Sequence, residues 1–259
     1  MQNLTIELVQ SDLFWHQPEQ NREHFAKKIA AAEAELVVLP EMFTTGFTMA
    51  PEEIAEPENG PTLEWMVQQA AEHDKAVCGS VVTRLDAGGF ANRFLFVTPA
   101  GEVFDYDKRH LFRMAGEHKH YRSGDGRQVI IYKGWRILPQ ICYDLRFPVF
   151  SRNRDDYDLA IYVANWPEAR RHAWRTLLQA RAIENQAYVV GVNRVGVDAK
   201  GLSYSGDTML VDYQGQPVID QPAGKAFSLN AELQATELSE YRTSFPAWQD
   251  ADQFELKGI

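Results

Sequence analysis

Apolar side chains recur along this chain in short continuous runs separated by stretches of helical spacing, and that alternation predicts most of the elements. Residues 4–10 alternate apolar and polar positions, the period of a strand. Residues 18–34 carry helical spacing, with Phe25, Ile29 and Ala32 on one side. Leu36-Val37-Val38-Leu39-Pro40 is a continuous apolar run, the pattern of a strand buried on both faces. Asn59-Gly60-Pro61 breaks the chain and opens a second helix through His73, striped by Leu63, Met66, Val67 and Ala70. Residues 76–82 predict another buried strand, with Cys78 in the core. Residues 92–98 and 103–108 flank the turn Pro99-Ala100-Gly101-Glu102 and predict a hairpin.

Residues 109–127 then form a long polar stretch with little periodicity. Beyond it, the apolar run Ile137-Leu138-Pro139-Gln140-Ile141 ends on Cys142, and the next residues read as the opening of a helix. Residues 159–164 predict a strand ending at Asn165-Trp166-Pro167, and 170–185 a helix with Trp174, Leu177 and Leu178 on its apolar side. Short strands follow at 188–193, 208–213, 217–220 and 227–229, then a last helix over 231–241. The tail after it carries Phe245, Trp248 and Phe254. With no repeat and no low-complexity linker, one α/β domain of mixed or doubled sheets covered by helices is expected.

Composition narrows the function classes. A chain of 259 residues, 45% of them hydrophobic, can bury a large core. Two cysteines make no disulfide framework, so a reducing cytoplasm is expected. A net charge of -10 argues against general affinity for nucleic acid or an anionic membrane, and no apolar run is long enough to span one. The exception to the acidic balance is the 109–127 stretch, where Arg109, Arg113, Lys119, Arg122 and Arg127 face only Glu117 and Asp125. A basic loop of that length is expected to frame a site, and to attract an anionic substrate against the global field.

The chemistry follows from what stands at strand ends. Cys142 sits at a strand-to-helix turn beside free helix N–H groups, a place expected to ease ionisation of its thiol. Glu41 directly follows the buried run ending at Pro40, and Lys108 ends the second strand of the hairpin. A nucleophilic thiol with a carboxylate as proton acceptor and a cation for the oxyanion is an inventory for acyl transfer from an amide or nitrile. Serine-elbow, phosphate-loop and dinucleotide glycine patterns are absent, and His118-x-His120 lacks a third ligand at zinc spacing. No metal or organic cofactor is therefore expected.

Leu39-Pro40-Glu41, Tyr106-Asp107-Lys108-Arg109-His110-Leu111 and Ile141-Cys142-Tyr143-Asp144-Leu145-Arg146-Phe147-Pro148 resemble, in order, the three signature motifs of the nitrilase superfamily of carbon-nitrogen hydrolases. The resemblance covers about residues 4–240. It implies a four-layer α-β-β-α sandwich in a single domain over 1–240, with a tail, 241–259, packing at the interface of a homodimer. It also implies that Glu41 is the general base, Lys108 the catalytic lysine and Cys142 the nucleophile. Glu117, the carboxylate in the loop between lysine and cysteine, matches the family's additional glutamate. The Cys142 motif and Leu178-Gln179-Ala180-Arg181-Ala182-Ile183-Glu184-Asn185-Gln186 resemble most the omega-amidase branch, implying a small-molecule substrate such as 2-oxoglutaramate. An amidase for other aliphatic or N-carbamoyl amides, or an acyl-transferring or non-catalytic relative, is the alternative. Tyr143 is expected to bind substrate through its backbone N–H. Arg146 either grips a substrate carboxylate or braces the loop; Trp166 walls the pocket or packs; Asp144 caps the turn or pairs with a cation.

Overall fold

The computed structural model describes residues 1–256; Lys257, Gly258 and Ile259, the end of the tail expected at a dimer interface, lie outside the described residues. The first half of the chain runs β1 (Leu4–Gln10), α1 (Pro18–Ala31), β2 (Leu36–Val38), α2 (Pro51–Ile54), β3 (Glu56–Pro57) and α3 (Pro61–His73). It closes with β4 (Ala76–Arg84), β5 (Phe90–Val97) and β6 (Val103–Asp107). The second half runs β7 (Ile130–Tyr132), β8 (Trp135–Ile141), α4 (Pro148–Ser151), β9 (Leu159–Ala164), α5 (Arg171–Asn185) and β10 (Tyr188–Asn193). It ends with β11 (Val195–Val197), β12 (Ser203–Ser205), β13 (Met209–Val211), β14 (Pro217–Asp220), β15 (Phe227–Leu233) and α6 (Ala235–Ser244).

Two large sheets form, one in the order β15-β1-β2-β4-β5-β6 with β3 beside β4 and one in the order β14-β13-β10-β9-β8-β7, besides the two-stranded β11–β12. The continuous apolar runs explain how they stack. In β2, Leu36 and Val38 face the core between the sheets, while Val37 turns outward to pack with Phe25, Ile29, Met66 and Ala70 of α1 and α3. In β9, Leu159, Ile161 and Val163 face inward, while Ala160 and Tyr162 meet Trp174, Leu178 and Ala182 of α5. Period-two alternation with both faces apolar therefore produces an α-β-β-α sandwich. Each fully buried Leu, Ile or Phe contributes about 1.5–3 kcal/mol. Gly191 in β10 lets α5 approach, because a Cβ there would lie 2.5 Å from the Leu178 side chain and 2.7 Å from Trp174.

Several expected elements shift. The first helix stops at Ala31 because Ala32 is extended (φ -65, ψ 137), although Ala32 still packs in the core. Residues 231–233, expected to open the last helix, instead continue β15 and pair with Ile6, Thr5 and Leu4 of β1. Tertiary pairing overrides their local preference, and α6 starts at Ala235. The segment after Cys142 is no regular helix but a five-residue 3-10 turn, Cys142–Arg146. Pro139 is accommodated because β7 pairs with β8 only through Ile137, so no bond to β7 is lost there. The hairpin β11–β12 was not expected at all.

Candidate active site

The site stands where strand ends converge. β1, β2 and β4 are parallel, and β6 regains their direction by two antiparallel steps through β5. Glu41 beyond β2 and Lys108 beyond β6 therefore emerge at one edge of the first sheet. β8, β9 and β10 are parallel in the second sheet, so Cys142 and Asn165 emerge from neighbouring strands at one edge there. Asn92, near the start of antiparallel β5, reaches the same place as Glu41.

The buried Lys108 ammonium donates to Glu41 Oε1 at 2.9 Å and to Glu117 Oε1 and Oε2 at 3.0 and 3.1 Å. Asn92 Nδ2 donates to Glu41 Oε1 at 2.8 Å and the Asn165 N–H to Oε2 at 2.7 Å, so both carboxylate oxygens are held. The Asn165 side chain adds a bond from Nδ2 to the Glu41 carbonyl, 2.6 Å. The Phe112 N–H, at 2.5 Å, fixes Glu117 Oε2. Glu41 and Glu117 are wholly buried, a costly arrangement that only this density of charge-assisted donors makes tolerable. Burial would push the Lys108 ammonium down, but Glu117 and Glu41 together outweigh it and hold Lys108 above its ordinary value. Burial pushes Glu117 up, with Glu41 adding to the rise and Lys108 opposing it.

Cys142 faces this triad from a left-handed backbone conformation, φ 45. Here the structure corrects the expectation of an easily ionised thiol. Burial pushes the Cys142 thiol well up, Glu41 pushes it further, and Lys108 only partly compensates. A 3-10 turn of five residues has little aligned dipole to set against that loss of solvation. A thiol raised in this way, beside a carboxylate, needs a base if it is to act as a nucleophile. Cys78, in contrast, is fully buried in β4 within the core between the sheets.

A pocket of about 310 Å³ opens onto Cys142 and Lys108. Its walls include Phe47, Phe112, Tyr143 and Trp166, and the Phe47 ring lies 5.2 Å from Lys108 Nζ. All the residues expected to bind substrate, Tyr143, Arg146 and Trp166, line it. The Arg146 guanidinium lies 4.9 Å above the Trp166 ring, and that of Arg170 lies 5.4 Å from Phe112. The expected basic frame is corrected. The 109–127 loop lines the pocket with Phe112, Met114 and Ala115, whereas Arg127 pairs with Asp156 and Arg109 donates to the Gly124 carbonyl. The pocket's outer cations are Arg146, Arg170 and Lys200. Among the described residues no His, Cys, Asp and Glu cluster is placed to hold a metal, and no helix is long and apolar enough to cross a membrane.

The carbon-nitrogen hydrolase family model matches residues 5–243. The chain belongs to this family, the nitrilase superfamily. The carbon-nitrogen hydrolase is 49% identical to the omega-amidase YafV of Escherichia coli K12, across 99% of this chain and 100% of that one. It is 29% identical to the 2-oxoglutaramate amidase of Bacillus subtilis, across 95% of this chain and 96% of that protein. The crystal structure of XC1258 from Xanthomonas campestris, a CN-hydrolase superfamily protein with an arsenic adduct in its active site, matches with a TM-score of 0.95. It is 46% identical and covers 99% of this chain and 100% of its own. The hydrolase acts on carbon-nitrogen bonds other than peptide bonds.

Sequence reasoning missed several residues of this hydrolase's site. Asn165 carried the same signal as Glu41 and Cys142, a polar residue directly after a buried strand. Asn92 is a polar residue in a largely apolar strand, and its burial is explained by Glu41. Asp198, Lys200, Leu202 and Tyr204 enter from the β11–β12 hairpin, whose strands are too short to register as period-two runs.

Proposed function

We propose that this carbon-nitrogen hydrolase is a thiol amidase that converts the terminal amide of short dicarboxylic acid monoamides, such as 2-oxoglutaramate and 2-oxosuccinamate, to the acid and ammonia. The observation that carries the chemistry is the buried Glu41–Lys108–Glu117 triad facing the Cys142 thiol. Glu41 accepts the thiol proton as sulfur attacks the amide carbon, and the carbonyl π electrons move onto oxygen. Lys108 Nζ and the Tyr143 N–H, in the first turn after Cys142, stabilise that oxyanion. Glu41 returns the proton to nitrogen, the C–N bond breaks, and ammonia leaves a thioester. Glu41 then takes a proton from water as it attacks the thioester; the C–S bond breaks and the proton returns to sulfur. Glu117 touches neither thiol nor base directly and serves to orient Lys108.

The substrate assignment is supported by the relatives named above and by charge. Among the described residues neither Arg146 nor Arg170 is paired with a carboxylate; one lies against Trp166 and the other against Phe112 and the Met114 sulfur. A carboxylate at the far end of a short amide would give either guanidinium a bidentate partner. A charge-assisted bond of about 1.5–3 kcal/mol predicts kcat/KM for 2-oxoglutaramate roughly ten- to a hundredfold above that for its methyl ester. The gap should narrow as salt is raised. Ammonia release compared between acid and ester at two ionic strengths checks this, and equal values would leave an amidase without anion recognition.

The solution state proposed is a homodimer. Phe245, 57% exposed, and Trp248, 39% exposed, leave apolar surface after α6 that a second copy would cover. Light scattering at micromolar concentration should give twice the chain mass, and a monomer mass would reject the dimer.

A further inference from the structure

We propose that Asp144 is a positioning residue, one that clasps the segment carrying Lys108 to the segment carrying Cys142 and so holds the thiol against the carboxylates. The inference rests on the reacting roles given to Lys108, Glu41 and Cys142 above. Asp144 is fully buried and is not among the residues that line the pocket. Its Oδ2 accepts from the Tyr106 hydroxyl at 2.9 Å and from the Ile141 N–H at 2.9 Å. Its Oδ1 accepts from the His110 N–H at 2.9 Å and from His110 Nδ1 at 2.7 Å. As a carboxylate it has about four acceptor positions, and all are taken.

The origin of those donors separates a clasp from a simple turn cap. Ile141 immediately precedes Cys142, and Asp144 follows two residues later, so one side chain brackets the nucleophile. Tyr106 and His110 stand two residues before and two after Lys108, so the same side chain brackets the cation. Further contacts stiffen the join. The Tyr106 hydroxyl accepts the Arg109 N–H at 3.1 Å, and the His110 ring stacks on Phe147 at 3.8 Å, beyond the nucleophile turn. Cys142 adopts φ 45, a conformation that a side-chain-bearing residue keeps only where its surroundings over-determine it. Asp144 supplies that constraint, bonded both to the Ile141 N–H that caps the turn and to the Tyr106 hydroxyl of the first sheet.

In Asp144→Asn the shape is kept, but one oxygen becomes an amide donor and must face two donors of the set. A displacement of the thiol by about an ångström costs roughly a hundredfold, so kcat should fall by about that factor. KM should stay within about threefold of the parent, since the pocket wall is untouched. Tyr106→Phe removes one donor and should lower kcat about tenfold, and the double variant should be little worse than Asp144→Asn alone, the mark of groups acting as a unit. Active sites counted by Cys142 alkylation put every kcat on a per-site basis. The proposal is overturned by a per-site kcat within about threefold of the parent, by a change confined to KM, or by additive effects. If Asp144→Asn does not fold, Tyr106→Phe carries the test, and a parent-like kcat overturns the clasp. Were the parent inert toward every amide, the functional assignment would fall by itself. The clasp would then be read from iodoacetamide alkylation of Cys142, expected to slow about tenfold in Asp144→Asn as the thiol leaves its base; an unchanged rate overturns it.

Discussion

Replacing Cys142 with alanine is expected to abolish ammonia release while leaving the fold and melting temperature near those of the parent. Removing a nucleophile from a group that acts as a unit typically costs about 10⁴-fold or more. Alanine retains the Cβ, so the left-handed turn at φ 45 becomes no more strained than it already is. Only the sulfur is removed, at a half-buried position on the pocket wall. The other thiol is no substitute. Cys78 has no exposed surface, and burial pushes its thiol well above the ordinary value. Native protein should thus take up one iodoacetamide label per chain and the Cys142→Ala variant none, while Cys78→Ala stays active and labelled. Ammonia release by a folded Cys142→Ala protein within about tenfold of the parent would remove this residue from the mechanism.

How much of this was legible in the sequence depended on whether a local pattern or a distant partner decides each feature. β1 follows its alternation and β9 and β10 their apolar runs, because sheet burial is what those patterns encode. Glu41, Lys108 and Cys142 could be placed at strand ends for the same reason, since a polar residue after a buried strand has only the sheet edge to occupy. What escaped was decided at a distance. Ala231 to Leu233 read as helix, but β1 leaves an edge that they complete as strand. The expectation for the Cys142 thiol rested on a following helix. The chain makes only a 3-10 turn there, and burial, with Glu41 and Glu117 beside it, raises the thiol instead. The basic 109–127 loop supplies apolar wall rather than cations: Arg127 pairs with Asp156, Arg109 donates to a backbone carbonyl, and Arg113, Lys119 and Arg122 do not line the pocket. Charge counted along a sequence does not reveal which cations are already neutralised.

Lys108→Met is expected to damage stability and turnover together, and in a pH-dependent way. In the parent, one buried ammonium serves two buried carboxylates, at 2.9 Å from Glu41 and 3.0 Å from Glu117. Methionine keeps much of the volume and offers no proton. Breaking a buried pair by removing one partner costs about 3–5 kcal/mol, and here two carboxylates lose the same cation. The oxyanion also loses its donor, worth about a hundred- to a thousandfold in kcat. The sign of the pH effect follows from linkage. In the parent, Lys108 is held above its ordinary 10.5, so its stabilisation is complete below that pH and is lost only as pH rises beyond it. Glu117 is raised above 4.5 and has the same sign at lower pH, favouring the folded state on the acid side and losing that contribution as pH rises. Without Lys108 the pull that restrains this rise is gone, and the variant folds by binding a proton that its unfolded chain does not hold. Its melting temperature should therefore fall more steeply than the parent's as pH rises from 4.5 towards neutral, because Lys108 opposes the rise of Glu117 in the parent. Calorimetry across that pH range, with ammonia release at each point, tests both consequences. A variant whose melting curve tracks the parent's and which turns over amides normally would contradict the placement of this lysine as counter-ion and oxyanion donor.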